Sequence, residues 1–171
     1  MNLKVKLILH YTIFSLCTLL SLQSQTDEVH RKEIDALLND WHQNAAKANF
    51  DKYFAAMTSD AVFIGTDAEE VWNKKEFMAY AKPHFDRGKT WNFTKVERNI
   101  YSKEHNNTAW FDELLKTQMG LCRGSGVVVF KDNKWLIQHY VLSIAIPNEN
   151  VKEVTRSKAV HDSLYQLHLP N

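Results

Sequence analysis

The chain has 171 residues, 44% of them hydrophobic and 24% charged, enough for one domain with a core of its own. Lys and Arg number 21 against 20 Asp and Glu, a net charge of +1, which excludes a strongly basic nucleic-acid binder and an acidic disordered tail. Five Gly, three Pro and two Cys exclude collagen-like, linker-like and disulfide-dense chains.

Residues 1–25 read as a secretory signal. Lys4 and Lys6 form a positive start, an apolar run follows from Leu7 to Leu22, and Gln23, Ser24 and Gln25 end it. A membrane anchor is the alternative, but the run carries His10 and falls short of the ~20 apolar residues a span needs. Cleavage is expected between about Ser21 and Thr26. It would remove Lys4 and Lys6 and no acidic residue, leaving 19 basic residues of the 21 against 20 acidic and a charge of −1. Cys122 would then be the only cysteine, so no internal disulfide is expected and stability rests on the core.

Helices come first in the remainder. Acidic Asp27 and Glu28 suit a first helical turn, and Ile34, Leu37, Leu38, Trp41, Ala45 and Ala48 recur at helical spacing, predicting a helix over about 27–47. Asn49 reads as the cap of a short helix lined by Phe50, Tyr53, Phe54 and Met57. Residues 61–66 read as a short strand ended by Gly65 and Asp67. Asn73 and Glu76 have capping-box spacing and open a third helix carrying Phe77, Tyr80 and Ala81. Pro83 is expected to end or kink it, and Gly88 to close the segment.

From Trp91 the pattern turns to strands, at 91–102, 108–118, 121–131 and 134–146. Expected turns lie at His105–Asn107, Met119-Gly120 and Asp132-Asn133. Helices followed by a strand-rich half predict an α+β domain over 26–147 with an antiparallel sheet. In the tail, 148–171, Val151, Val154, Val160, Leu164 and Leu167 fit either one more helix or a frayed end. Both faces of 134–146 look apolar: Trp135, Ile137 and Val141 on one parity, Leu136, Tyr140, Leu142 and Ile144 on the other. The helices cover one face, so a second copy is expected on the other.

The order helix, short helix, strand, helix, then antiparallel meander resembles the nuclear transport factor 2-like superfamily, and within it the SnoaL-like domains. Residues 61–66 with Trp72, 109–111, Arg123-Gly124-Ser125-Gly126 and 135–143 carry the resemblance, which spans about 30–147. It implies a curved sheet wrapped round helices, a conical pocket and a dimer through the outer sheet face. It does not imply one activity, because isomerases, cyclases, dehydratases, epoxide hydrolases and non-catalytic members share the fold.

Strand register suggests where chemistry would sit. Two-residue turns at Asp132-Asn133 and Met119-Gly120 would align Glu113, Gly126 and His139 in one row, with space over Gly126 and Gly124. A carboxylate beside an imidazole could act as an acid–base pair. One residue of slip replaces Glu113 with Asp112, and a satisfied core histidine is the alternative for His139. Arg123 falls on the opposite face with Tyr140, where it would pair with Asp112; with a slip it would clamp an anion in the pocket. The superfamily's epoxide hydrolases use two Asp around one Arg, and its ketosteroid isomerases a base with a tyrosine; no motif here places either set.

Phe63, Trp72, Phe85, Trp91 and Trp110 are candidates to line an apolar cavity, joined by Arg123, Gly126 and Tyr140 as ligand contacts, with most of the aromatics expected in ordinary core. His42 and His84 complete a polar set, but no histidine spacing matches a metal site, so neither a metal nor another cofactor is expected. Cys122 is expected buried and inert. The expected partners are a small-molecule ligand and a second copy, with no nucleic acid and no membrane once the signal is cut. Three function classes stay open: an exported or periplasmic domain binding a small apolar molecule, an isomerase, cyclase or hydrolase using His139 with Glu113 or Asp112, and a non-catalytic dimerisation module.

Overall fold

The computed structural model describes residues 28–102 and 107–169. The expected signal at 1–25 lies outside them, as do His105 and Asn106 of one expected turn. The first helix, α1, covers 28–46. Its stripe Ile34, Leu38, Trp41 and Ala45 is buried at 0–2% exposure, the outcome its spacing predicts. A short α2 follows, Phe50–Ala55, with Asn49 at the cap position. The Asn49 side chain donates to Asn44 Oδ1 at 3.1 Å rather than capping α2.

Strand β1, Met57–Ile64, starts four residues before the predicted one, because Thr58, Ser59 and Asp60 break the apolar signal there. A three-residue strand that the sequence did not suggest, β2, Val71–Asn73, pairs antiparallel with it. Helix α3, Lys74–Asp86, opens with the predicted capping box: Asn73 Oδ1 accepts from the Glu76 backbone N–H, and the Glu76 carboxylate accepts from that of Asn73. Pro83 lies inside α3 without ending it. Phe77, Ala81 and Phe85 pack on either side of it, and one lost ladder bond on the exposed side does not outweigh that burial. Gly88, at φ +63, closes the segment.

The meander follows as β3, Thr94–Ser102, β4, Thr108–Thr117, β5, Gly120–Lys131, and β6, Lys134–Ile144. Asp132 and Asn133 both have positive φ, 52 and 60, which suits a tight two-residue hairpin. The sheet order is β2-β1-β6-β5-β4-β3. It is not wholly antiparallel: β1 runs parallel to β6, an arrangement that the long connection through β2, α3 and the strands β3 to β5 hid from local patterns. Finally α4, Val151–Leu167, is a helix with no buried residue; Tyr165 Oη donates to the Ala68 carbonyl at 3.1 Å.

Two register details decide which side chains enter the cone. The β4–β5 turn is Gln118-Met119, since Thr117 pairs with Gly120. Glu113 therefore faces Gly124 instead of Gly126, a shift that keeps its side of the sheet. In the β5–β6 hairpin Phe130 pairs with Trp135 as predicted, but a bulge between Val127 and Val128 leaves Gln138 unmatched. Gly126 then faces Tyr140, and His139 turns to the outer face beside Val127. The inner face carries one row across all six strands: Ile100, Phe111, Gly126, Tyr140, Phe63 and Trp72. The outer face carries Tyr101, Trp110, Val127, His139 and Val62.

The bulge also corrects the reading of β6 as apolar on both faces. Trp135, Ile137, Tyr140 and Leu142 all point inward, while Leu136, His139, Val141 and Ser143 share the outer face.

Candidate functional site

Glu113, fully buried on β4, is the centre of the polar interior. Opposite it on β3, Arg98 donates from Nε at 2.8 Å and Nη2 at 2.6 Å to Glu113 Oε2. Nη1 of Arg98 donates to Asp35 Oδ1 at 2.8 Å, to the Asp35 carbonyl at 3.1 Å and to Asn39 Oδ1 at 2.9 Å. Glu113 Oε1 accepts from His42 Nε2 at 2.8 Å and from Tyr140 Oη at 2.9 Å. An ionised carboxylate only accepts, so the His42 proton in this contact sits on Nε2. Asp35, Asn39 and His42 come from one flank of α1 at spacing i, i+4, i+7, beside the apolar stripe.

Gly124 makes this cluster possible. A Cβ there would collide with the Tyr140 hydroxyl, and would lie 2.9 Å from Tyr140 Cζ and 3.0 Å from Glu113 Cγ. Without it, Tyr140 reaches diagonally over Gly124 to the carboxylate. Burial pushes the Glu113 carboxyl up, but the His42 hydrogen bond and charge, with Arg98, more than offset it, so it titrates below the ordinary range. Burial and the Glu113 charge raise the Tyr140 phenol well above its usual value. Asp35 is lowered: Lys95 and Arg98 outweigh its partial burial.

Glu113 is thus saturated. Two donors meet each oxygen and no solvent reaches it, so no lone pair faces a substrate. The arrangement is a buried ionic cluster with a fully paired carboxylate, of the kind that fixes a fold.

One groove, of about 360 Å³, borders the cluster at His42, Asn39 and Lys95 without reaching Glu113; an aromatic cavity lies at the mouth of the cone. This cavity, of about 170 Å³, is lined by Phe63, Trp72, Phe77, Tyr80, Trp91 and Phe93, with Leu142 and Met119 beside them and Glu70, Thr66 and Gln118 as polar groups. Its rings are stacked: Phe63 on Phe77 at 4.0 Å, Trp72 on Phe77 at 5.7 Å, Trp72 on Tyr80 at 4.5 Å. Tyr140 joins floor to mouth, its ring stacked on Phe63 at 5.6 Å and its hydroxyl on Glu113. Among the described residues no three His, Cys, Asp or Glu side chains gather as a metal site would need.

Residues 34–147 match the model of the SnoaL-like domain, two thirds of the chain. The chain belongs to the SnoaL-like domain family. Solved structures agree on the fold. A nuclear transport factor 2-like protein of unknown function from Pseudomonas putida is 14% identical, over 72% of this chain and 92% of that one, with TM-score 0.61. A candidate scytalone dehydratase from Novosphingobium aromaticivorans is 10% identical over 72% and 89%, with TM-score 0.61. The association domain of the C. elegans kinase CaMKII is 15% identical over 70% and 98%, with TM-score 0.58. No curated protein sequence matches significantly.

This SnoaL-like domain brings together some of the predicted residues and separates others. Phe63, Trp72 and Trp91 line the cavity; Phe85 is in the core behind it. Tyr140 points inward, against the expectation that it shares a face with Arg123. His139 points outward, so the expected pairing with Glu113 does not form. Asp112 is outward as well, two strands from His139, and accepts from Tyr101 Oη at 3.1 Å. Arg123 does not enter the cone; it is exposed and approaches Asp112 Oδ1 at 3.5 Å, the ion pair foreseen for that register. Trp110 is on the outer face, 42% exposed and stacked on Tyr101 at 5.9 Å.

Gly126 leaves no gap. A Cβ would strike the His139 carbonyl and sit 2.8 Å from Phe111 Cζ, because the Phe111 ring already fills that space. Cys122 is buried, its sulfur 3.4 Å from Thr117 Oγ1. His42 and Arg98 are the residues that sequence reasoning missed as partners of Glu113. A signal existed for His42: its polar flank on α1 with Asp35 and Asn39 runs beside the buried stripe.

Proposed function

We propose that this chain is an exported binding domain whose cone holds one small, mainly apolar molecule. The cavity at the mouth carries this reading: six aromatic rings surround it, and no histidine, lysine or arginine lines it. The only buried carboxylate on the inner face of β4 is committed to four donors, which argues against general-base catalysis with Glu113. The signal-like residues 1–25 support export to the periplasm or the medium. The outer row of Tyr101, Trp110, Val127 and Val62 supports a homodimer through that face, and the likeness to an association domain fits such self-association.

Two experiments test this. Native mass spectrometry of protein purified from its own host should show a non-covalent adduct of small mass that Trp72→Leu depletes. An adduct-free mass, with no tryptophan fluorescence response to toluene, phenol or naphthalene, overturns the binding reading. Sedimentation should show a dimer at micromolar concentration that Trp110→Asp converts to monomer, since a charge at the centre of such an interface has no partner. A wild-type monomer overturns the assembly.

A further inference from the structure

The cavity is not chemically neutral. Among the residues that line it, Glu70 is the only charged one, and neither Lys, Arg nor His takes part. Glu70 is held in place by its own loop. Its backbone carbonyl accepts from Gly65 N–H at 2.8 Å, and its Oε2 accepts from Asp67 N–H at 3.2 Å. Gly65 has no side chain where one would collide with that carboxylate and lie 2.9 Å from Glu70 Cβ. The loop between β1 and β2 therefore packs the carboxylate against the cavity wall. Tyr80, on the opposite rim, feels it: burial and then the Glu70 charge raise its phenol.

Aromatic rings carry negative faces, so a ring face left open at the end of the Phe63, Phe77, Trp72 and Tyr80 stack shares the electrostatic sign of the carboxylate. An anionic ligand would meet both unfavourably. A neutral apolar ligand would fill the space but leave the carboxylate beside a dry surface. A cation with an apolar body satisfies both, through ring contact and through the carboxylate. We propose that the cone selects a small organic cation, an ammonium bearing an apolar or aromatic substituent, with Glu70 as its counter-charge and the stacked pair of Trp72 and Tyr80 as one aromatic wall. This rests on the reading of the cone as a binding pocket and names the ligand class it takes.

The test uses three probes of similar size on the purified protein: phenyltrimethylammonium, its neutral isostere tert-butylbenzene, and benzoate. Fluorescence of the protein, to which Trp72 and Trp91 contribute from the cavity wall, reports binding, with calorimetry as a check. The cation should bind about 10-fold more tightly than the isostere, and benzoate weakest. Glu70→Gln should weaken the cation about 10-fold and leave the isostere unchanged. Should that variant misfold, raising salt on the wild type serves instead, since it should weaken the cation and not the isostere. If tert-butylbenzene binds as well as the cation and neither change discriminates them, the cation assignment fails while the apolar pocket stands. If none of the three binds to folded protein, both fail.

Discussion

The floor and the mouth of the cone differ in kind. The floor has the titratable groups, and no space opens at its carboxylate: Glu113 is fully buried among Arg98, His42 and Tyr140, which occupy both of its oxygens, and only the far side of His42 borders an open groove, with Asn39 and Lys95. The mouth has the space and almost no titratable groups: about 170 Å³, six rings and Glu70. Acid–base chemistry needs both in one place. The comparison teaches that a carboxylate beside a histidine marks a catalytic site only when one of its lone pairs is left over. Here the polar cluster positions strands, and the aromatic cavity is left to meet a ligand.

The largest expected effect is on the floor. Glu113→Gln leaves Arg98 and His42 without their buried counter-charge and should cost about 3–5 kcal/mol in urea unfolding. It should also change the pH dependence. The folded carboxyl of Glu113 titrates below its unfolded range, so its stabilisation is present above that range. It is lost as pH falls through the lower folded value. Wild-type stability should therefore drop on acidification along a limb that Glu113→Gln flattens. An unchanged limb would mean that other carboxylates, Asp35 among them, carry it.

Next comes the tight row between floor and mouth. Gly126→Ala should destabilise by about 1–3 kcal/mol, because the added methyl meets the His139 carbonyl and the Phe111 ring. A stable variant with new ligand affinity would show that Phe111 can swing away and that the row hides space.

Trp72→Leu should act on the mouth. It removes a ring from the cavity wall at a half-buried position and should weaken aromatic probes about 10-fold, with a smaller change in stability than Glu113→Gln. Equal loss of both would erase the distinction between the regions. The smallest effect belongs to His139→Gln, on the outer face behind the bulge: within about 0.5 kcal/mol in stability, and none on binding in the cone. A clear loss of binding would place the site on the other side of the sheet.

The helical stripe of α1, the capping box at Asn73 and Glu76 and the turn at Asp132-Asn133 were legible because each is set by a few neighbours in sequence: a period, a cap, two residues tolerant of positive φ. Glu113 was legible as an inward carboxylate because strand parity survives a turn shift of this kind. Its partner was not. The bulge at Gln138 inserts one residue, reverses the parity of His139 and Tyr140, and carries no mark in the local pattern, since Ile137, Gln138, His139 and Tyr140 read equally well in either register. The aromatics were visible as a set, but whether Trp110 or Trp91 entered the cone depended on sheet curvature and on the path of the chain.

By itself the sequence determined the main helices and strands apart from β2 and the tail, and with them the α+β class, because those follow from periodicity and short-range stereochemistry; the family resemblance came from particular runs of residues. Tertiary structure decided that β1 runs parallel to β6, that His42 from α1 rather than His139 from β6 meets Glu113, and that the aromatic cavity lies among Phe63, Trp72 and Tyr80 beside Glu70. The first two join residues far apart in the chain, and the cavity joins residues 63–80 to Trp91, Phe93, Gln118, Met119 and Leu142. Their relative placement is fixed only when the helices close against the sheet and buried groups such as Glu113, Arg98 and Tyr140 have to find their partners.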